Sequence, residues 1–137
     1  MTRTLSVLVV AGASLLLAAT ASPQSGPTLT IRHQLRGCHS WSFNGGAYKA
    51  SQYVVLTRGA SLAVVNNDVM PHRLVKTSGP VLTLPSSANM NHSGATTHVR
   101  FAKAGVYIFK TKAGEDYMKG VKTIGEDNTL VLEVTVR

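Results

Sequence analysis

Three short clusters of soft or borderline ligands stand out: Cys38-His39 with His33 just upstream, Met70-Pro71-His72, and Met90-Asn91-His92, with Met118 as a further thioether. Thiolate, imidazole and thioether donors together suit copper, Cu(I) above all, better than they suit the harder divalent ions. Cys38 is the single cysteine, so it cannot close an internal disulfide. It is a buried inert thiol, a link between two chains, a reactive group or a metal ligand. The Cys38-His39 pair has the residue types of a nucleophile and its base, but adjacent residues seldom give those roles the geometry they need. No Gly-x-Ser-x-Gly turn, phosphate-cradling glycine loop or HExxH helix occurs, so the sequence points to a binding protein and not to an enzyme.

Each candidate has a plain alternative. His39 follows Cys38 directly, and in a regular strand the two would face opposite ways. Both reach one ion only if Gly37 allows a bulge or turn. His33 shares a strand face with Leu29 and Ile31, where a hydrogen-bonded core histidine is the commoner outcome. His72 stands between an Asn-Asn-Asp turn and a strand, a place where a rigid scaffold can aim a side chain into a cleft. Met90 and His92 are spaced for a second, weaker Cu(I) site or are ordinary loop residues. Met118 is a weak ligand or a core residue. Glu115 and Asp116 are either solvated acids or supply a carboxylate that replaces a lost nitrogen ligand. His98 is expected to face solvent, and Trp41 and Tyr107 to pack.

These residues must be positioned by strands. No apolar repeat of helical period persists after the first twenty-one residues, whereas short β-branched runs recur between Gly, Asn, Asp, Ser and Pro clusters. The pattern predicts strands over 28–35, 52–57, 61–66, 72–77, 98–101, 106–111 and 129–136, with 84–97 as a long surface loop. Seven short strands between turns such as Arg58-Gly59, Asn67-Asp68 and Ala104-Gly105 read as an all-β sandwich or barrel.

The chain begins with Arg3, an apolar stretch from Leu5 to Ala19 and the small residues Ala19-Thr20-Ala21, the anatomy of a secretory signal peptide. The apolar core is roughly 15 residues long, short of the ~20 that span a membrane. We therefore expect a leader over residues 1–21, a single domain over 22–137, and a periplasmic or secreted, monomeric protein with no membrane span. With 14 Lys+Arg against 6 Asp+Glu, scattered over the mature chain, the charge forms a solvated basic face or steers the protein towards a redox or copper-trafficking partner with an acidic face. Nucleic acid is not expected, because no recognition helix or aromatic-basic motif is present.

The segment from Val54 to Val75 resembles the cupredoxins, the family of plastocyanin and azurin. It contains Arg58-Gly59, the run Leu62-Ala63-Val64-Val65-Asn66-Asn67-Asp68 and then Pro71-His72, similar to a strand that ends in Asn-x-Asp before the first copper histidine. Phe101 with Ala104-Gly105-Val106-Tyr107-Ile108-Phe109 and, later, Met118-Lys119-Gly120 before a closing strand are similar to the rest of that pattern. The resemblance implies a cupredoxin-like Greek-key β-sandwich, one copper ion cycling between Cu(I) and Cu(II), His72 as a ligand and Met118 as a weak axial group. It breaks after β-strand 106–111: Thr111 stands about where the family has its cysteine, and 112–117 holds no histidine. The resemblance therefore implies a member lacking those C-terminal ligands. Because the family's first strand runs beside the one leading to the copper histidine, Cys38 at the end of strand 28–35 is expected at the same pole as His72. The expected site is a relocated one of Cys38 and His72, completed by His39 or His33 and by Met118 or Glu115. The competing reading is a metal-free sandwich that serves as an interaction or structural module.

Overall fold

The computed structural model describes residues 26–33, 39–121 and 129–137; the expected leader and Cys38 lie outside them. Among the described residues the chain forms β1 (Thr28–His33), β2 (His39–Phe43), β3 (Ser51–Leu56), β4 (Ser61–Asn66), β5 (His72–Ser78), β6 (Asn89–Met90), β7 (Thr96–Arg100), β8 (Gly105–Ala113) and β9 (Val131–Val136). They make two sheets, ordered β2-β1-β4-β7 and β3-β9-β8-β5-β6. The chain changes sheet at β2–β3, β3–β4, β4–β5, β6–β7 and β7–β8, which locks the layers together. The expected all-β sandwich is present.

Alternation builds the core. Leu29 and Ile31 of β1, Leu62 and Val64 of β4 and Val99 of β7 point inward from one sheet. They meet Val54, Leu74, Tyr107, Phe109, Leu132 and Val134 of the other, all buried. A side-chain period of two leaves every second residue for the outside. Phe101 closes the end remote from His72, its ring 5.1 Å from that of Tyr107 and edge-on to it.

Two strands depart from the sequence expectation. The strand predicted over 28–35 is described only as far as His33, and His39 opens β2 instead of ending β1. Antiparallel pairing sets Ile31 opposite Trp41 and His33 opposite His39, so Trp41 and His39 face the core with Ile31. The short run His-Ser-Trp-Ser-Phe carries its pattern in too few residues to announce a strand. Its intervening serines are buried, and the 44–49 segment returns beside Ser42: Ser42 Oγ donates to Gly46 O at 2.7 Å, and Trp41 exchanges backbone bonds with Lys49. The predicted 84–97 loop holds a 3-10 turn, Ser86–Ala88, and then β6, where Met90 is fully buried opposite His72.

The strand directions gather one group of chain ends at a single pole. β1 runs parallel to β4, so both end there. β2, β5 and β9 begin there, and β6 and β8 end there, since His72 is paired with both Met90 and Ala113.

Candidate metal centre

The pole is organised by the turn between β4 and β5. Asn66, the last residue of β4, is fully buried. Its side-chain Oδ1 accepts from the Asp68 N–H at 3.0 Å, while its Nδ2 donates to Met70 O and Met90 O, both at 2.9 Å. Asp68 repeats the device: its Oδ1 accepts from the Met70 N–H at 3.0 Å. Two successive side-chain turns of this kind are what Asn and Asp favour. They bend the chain so that Asp68 points inward. Pro71 then confines Met70 to extended backbone and feeds the chain into β5. Asn67 N–H donates to Ile31 O at 2.8 Å, which brings Asp68 level with His33.

Three imidazoles converge on this carboxylate. His39 Nδ1 lies 2.7 Å and His72 Nε2 lies 2.9 Å from Asp68 Oδ2, while His33 Nδ1 lies 3.7 Å from Asp68 Oδ1. The His39 and His72 rings stand 4.6 Å apart at 89°, and the His33 and His39 rings 5.8 Å apart at 63°. Asp68, His39 and His72 are buried, and His33 retains partial access to solvent. Two histidines come from one sheet, the third from the other, and the carboxylate from the crossing between them.

Burial by itself would push the Asp68 carboxyl up. The hydrogen bonds from His39 and His72, the Met70 N–H and the charge of His72 outweigh it and hold the group well below the usual carboxylate range. An ionised carboxylate only accepts. His39 therefore donates through a proton on Nδ1 and His72 through one on Nε2, which leaves His72 Nδ1 as the ring nitrogen not engaged with Asp68. That atom is buried with no hydrogen-bond partner among the described residues, as is His33 Nδ1. Buried nitrogens of this kind are costly unless something binds them.

The donor set suits a transition metal. One nitrogen each of His33 and His39 and an oxygen of Asp68 lie within 4.8 Å of one another, close enough for one ion to draw them together. In the other arrangement, Asp68 orients the His72 imidazole through Nε2 and leaves its Nδ1 to a metal, the usual relation of a carboxylate to a ligating histidine.

Of the residues singled out in the sequence, His33, His39 and His72 are brought together. Cys38 lies outside the described residues and directly precedes His39. Met118 is half-buried on the segment after β8; its N–H donates to Gly114 O at 3.1 Å, and Gly114 N–H donates to Pro71 O at 3.0 Å. That segment is thereby tied to the residue before His72. Tyr117 Oη donates to Asn91 Oδ1 at 3.0 Å, and burial, opposed by Arg73, pushes its hydroxyl up to about 12. Glu115 is exposed and stands apart from the carboxylate-imidazole group, because the turn Gly114–Asp116 directs it to solvent. Met90 is buried opposite His72 whereas His92 is exposed at the surface. His98 is exposed as expected. Asp68 was not anticipated as a site residue. Its signal was an acid four residues before His72, in a turn between two β-branched runs, in a chain with only 6 Asp+Glu.

No protein-family model matches this chain, and none of the curated proteins matches it. Among solved structures it is similar to a purple cupredoxin from Nitrosopumilus maritimus, with 20% identity and a TM-score of 0.46 over 80% of this chain and 98% of that one. It is also similar to a multicopper oxidase from Pseudomonas thermotolerans, with 14% identity and a TM-score of 0.44 over 80% of this chain and 28% of the oxidase. A cysteine protease inhibitor from Entamoeba histolytica shares 10% identity and a TM-score of 0.40 over 64% of this chain and 85% of the inhibitor. These likenesses are to the scaffold; what the pole of this chain can bind rests on its own residues.

Proposed function

We propose that this chain is an exported copper-binding protein that holds one copper ion at the pole formed by His33, His39, Asp68 and His72, for single-electron transfer or copper handling. The observation that carries the reading is the convergence of three imidazoles from two sheets on one buried carboxylate, with His72 Nδ1 buried and without a hydrogen-bond partner among the described residues. Among divalent first-row metals, copper is the one that nitrogen, oxygen and sulfur donors hold most tightly. Cys38, directly before His39, is the proposed thiolate, and Met118, on the segment tied to Pro71, the proposed weak axial donor.

Bound there, copper would supply one-electron redox chemistry or be the cargo itself. The chain's own part is positional. Asp68 fixes the ring orientation and tautomer of His39 and His72, and Asn66 fixes Asp68. Burial of both rings keeps water from competing for their nitrogens. Ligands anchored on paired strands move little when charge changes, as an electron-transfer site requires; the partial exposure of His33 is the feature that suits metal exchange.

The test is copper stoichiometry of the mature chain, read with visible and electron paramagnetic resonance spectra. We expect one tightly held copper with nitrogen hyperfine structure, lost in His72→Ala and in His39→Ala. Thiolate charge-transfer bands that vanish in Cys38→Ser would assign the sulfur ligand. Failure of the wild type to retain copper under oxidising and reducing conditions would favour the second reading, a metal-free interaction or structural module. That reading is favoured by one observation: the bonds from His39 and His72 to Asp68 already tie the two sheets together without an ion.

A further inference from the structure

We infer that the outer face of the second sheet is a docking surface for an acidic protein partner, centred on Arg73, Lys110 and Lys112. The inference does not rest on the metal reading. Arg73 and Lys112 occupy directly opposed positions on β5 and β8, and Lys110 lies two residues from Lys112 on the same face, opposite Val75. All three cations are exposed. Like charges directly opposite one another destabilise a sheet, so this arrangement works against the fold that carries it. Among the described residues, none of the three forms an ion pair. The nearby acids form no ion pair with them: Asp116 shares a cleft of about 370 Å3 with Lys110 and Lys112 but accepts from the Ala113 N–H through Oδ2, and Glu133 stands opposite Ile108 and Tyr53.

The same face also carries exposed apolar side chains where an outer sheet surface is ordinarily polar. Tyr53 and Val55 of β3 are 77% and 60% exposed, and Val106 of β8 is 47% exposed. Register places Val55 and Val106 on either side of Thr135, and Tyr53 and Ile108 on either side of Glu133, so they form one patch continuous with the cations. Apolar and tyrosine contacts beside arginine are the makeup of a protein interface. A patch of three cations is smaller than the 4–8 Lys/Arg that mark an anionic membrane site, and it does not form the long basic track that nucleic acid backbones need. Carboxylates on a partner would pair with Arg73, Lys110 and Lys112 while apolar groups covered Tyr53 and Val55.

The experiment titrates the isotopically labelled mature chain with a peptide of six glutamates, followed by nuclear magnetic resonance at low salt, with vesicles of phosphatidylcholine and phosphatidylglycerol and a short DNA duplex as parallel probes. Shifts gathered on β5 and β8, and an affinity lowered tenfold or more in Lys110→Gln/Lys112→Gln but less than threefold in Arg100→Gln/Lys103→Gln at the opposite end, would support the proposal. Both double variants remove the same charge, so net charge alone cannot produce that difference. If either fails to fold by circular dichroism, the single variants Lys112→Gln and Lys103→Gln replace them. Shifts spread over the surface, equal losses in the two variants, or tighter binding of vesicles or DNA than of peptide would overturn it. None of these readouts involves copper, so this surface and the metal centre can fail separately.

Discussion

His39 and His72 belong to different sheets, yet their rings stand 4.6 Å apart and perpendicular, each directed at the same oxygen of Asp68, 2.7 and 2.9 Å away. The two layers are thus joined at this pole by a charged hydrogen-bonded bridge in place of apolar packing. Its strength and its chemistry both depend on Asp68 being ionised.

Asp68→Asn keeps the shape and removes the charge. Because hydrogen bonds to a charged group contribute about 1.5–3 kcal/mol and the substitution leaves imidazoles buried against a neutral amide, we expect a loss of about 2–4 kcal/mol in urea denaturation of the metal-free protein. Copper affinity should fall about 10–100-fold, the usual effect of removing a carboxylate that orients a ligating histidine. Unchanged affinity would mean that Asp68 neither orients nor ligates.

The pH dependence follows from the same residue. The native Asp68 carboxyl is held below its ordinary value of 3.8, so in acid the unfolded chain takes up a proton there before the folded one does. The stabilisation is complete above that ordinary value and is lost as pH falls towards the native one. Urea midpoints measured from pH 6 down to pH 2 should therefore drop more steeply for the wild type than for Asp68→Asn, and the two curves should converge at the acid end. Parallel curves would contradict the depressed carboxyl.

Asn66→Ala removes the bonds to Met70 O and Met90 O and the acceptor for Asp68 N–H. Buried backbone groups left unsatisfied cost about 1–3 kcal/mol each, and we expect a total loss of at least 2 kcal/mol with weakened copper binding, read by thermal melts and metal titration. Glu115→Ala and His92→Ala, at exposed positions, should leave both measurements unchanged. A copper site lost in either variant would place a ligand where the structure has a solvated side chain.

Lys112→Glu converts the like-charged pair with Arg73 into an opposite one. Cross-strand pairs of this kind contribute about 0.2–1 kcal/mol, so the variant should melt a few degrees higher at low ionic strength, and the gain should shrink in high salt as the exposed charges are screened. A lower melting temperature would mean that Lys112 supports the fold in a way that charge does not explain.

The sequence by itself determined the layer architecture. The alternation of Leu29, Ile31 and His33, the β-branched run from Leu62 to Val65 and the aromatic alternation Tyr107–Phe109 commit those segments to strands with one buried face, because a period of two leaves no other way to hide the apolar side chains. It also marked His33, His39 and His72 as residues worth watching, since imidazole flanked by cysteine and methionine is metal-ligand chemistry. What it could not give was β2: five residues from His39 to Phe43 become a strand only because β1 lies alongside to pair with them, and that pairing turns His39 inward to face His72. Nor could it give Asp68 its role. An aspartate in an Asn-Asn-Asp turn is ordinarily a solvated turn residue, and only the crossing from one sheet to the other carries it into the interior. Its partners are 29 and 4 residues away in sequence. Local propensity fixes which faces are buried, but which charged groups meet inside is decided by the order in which the strands are stacked, and that order exists only in the folded chain.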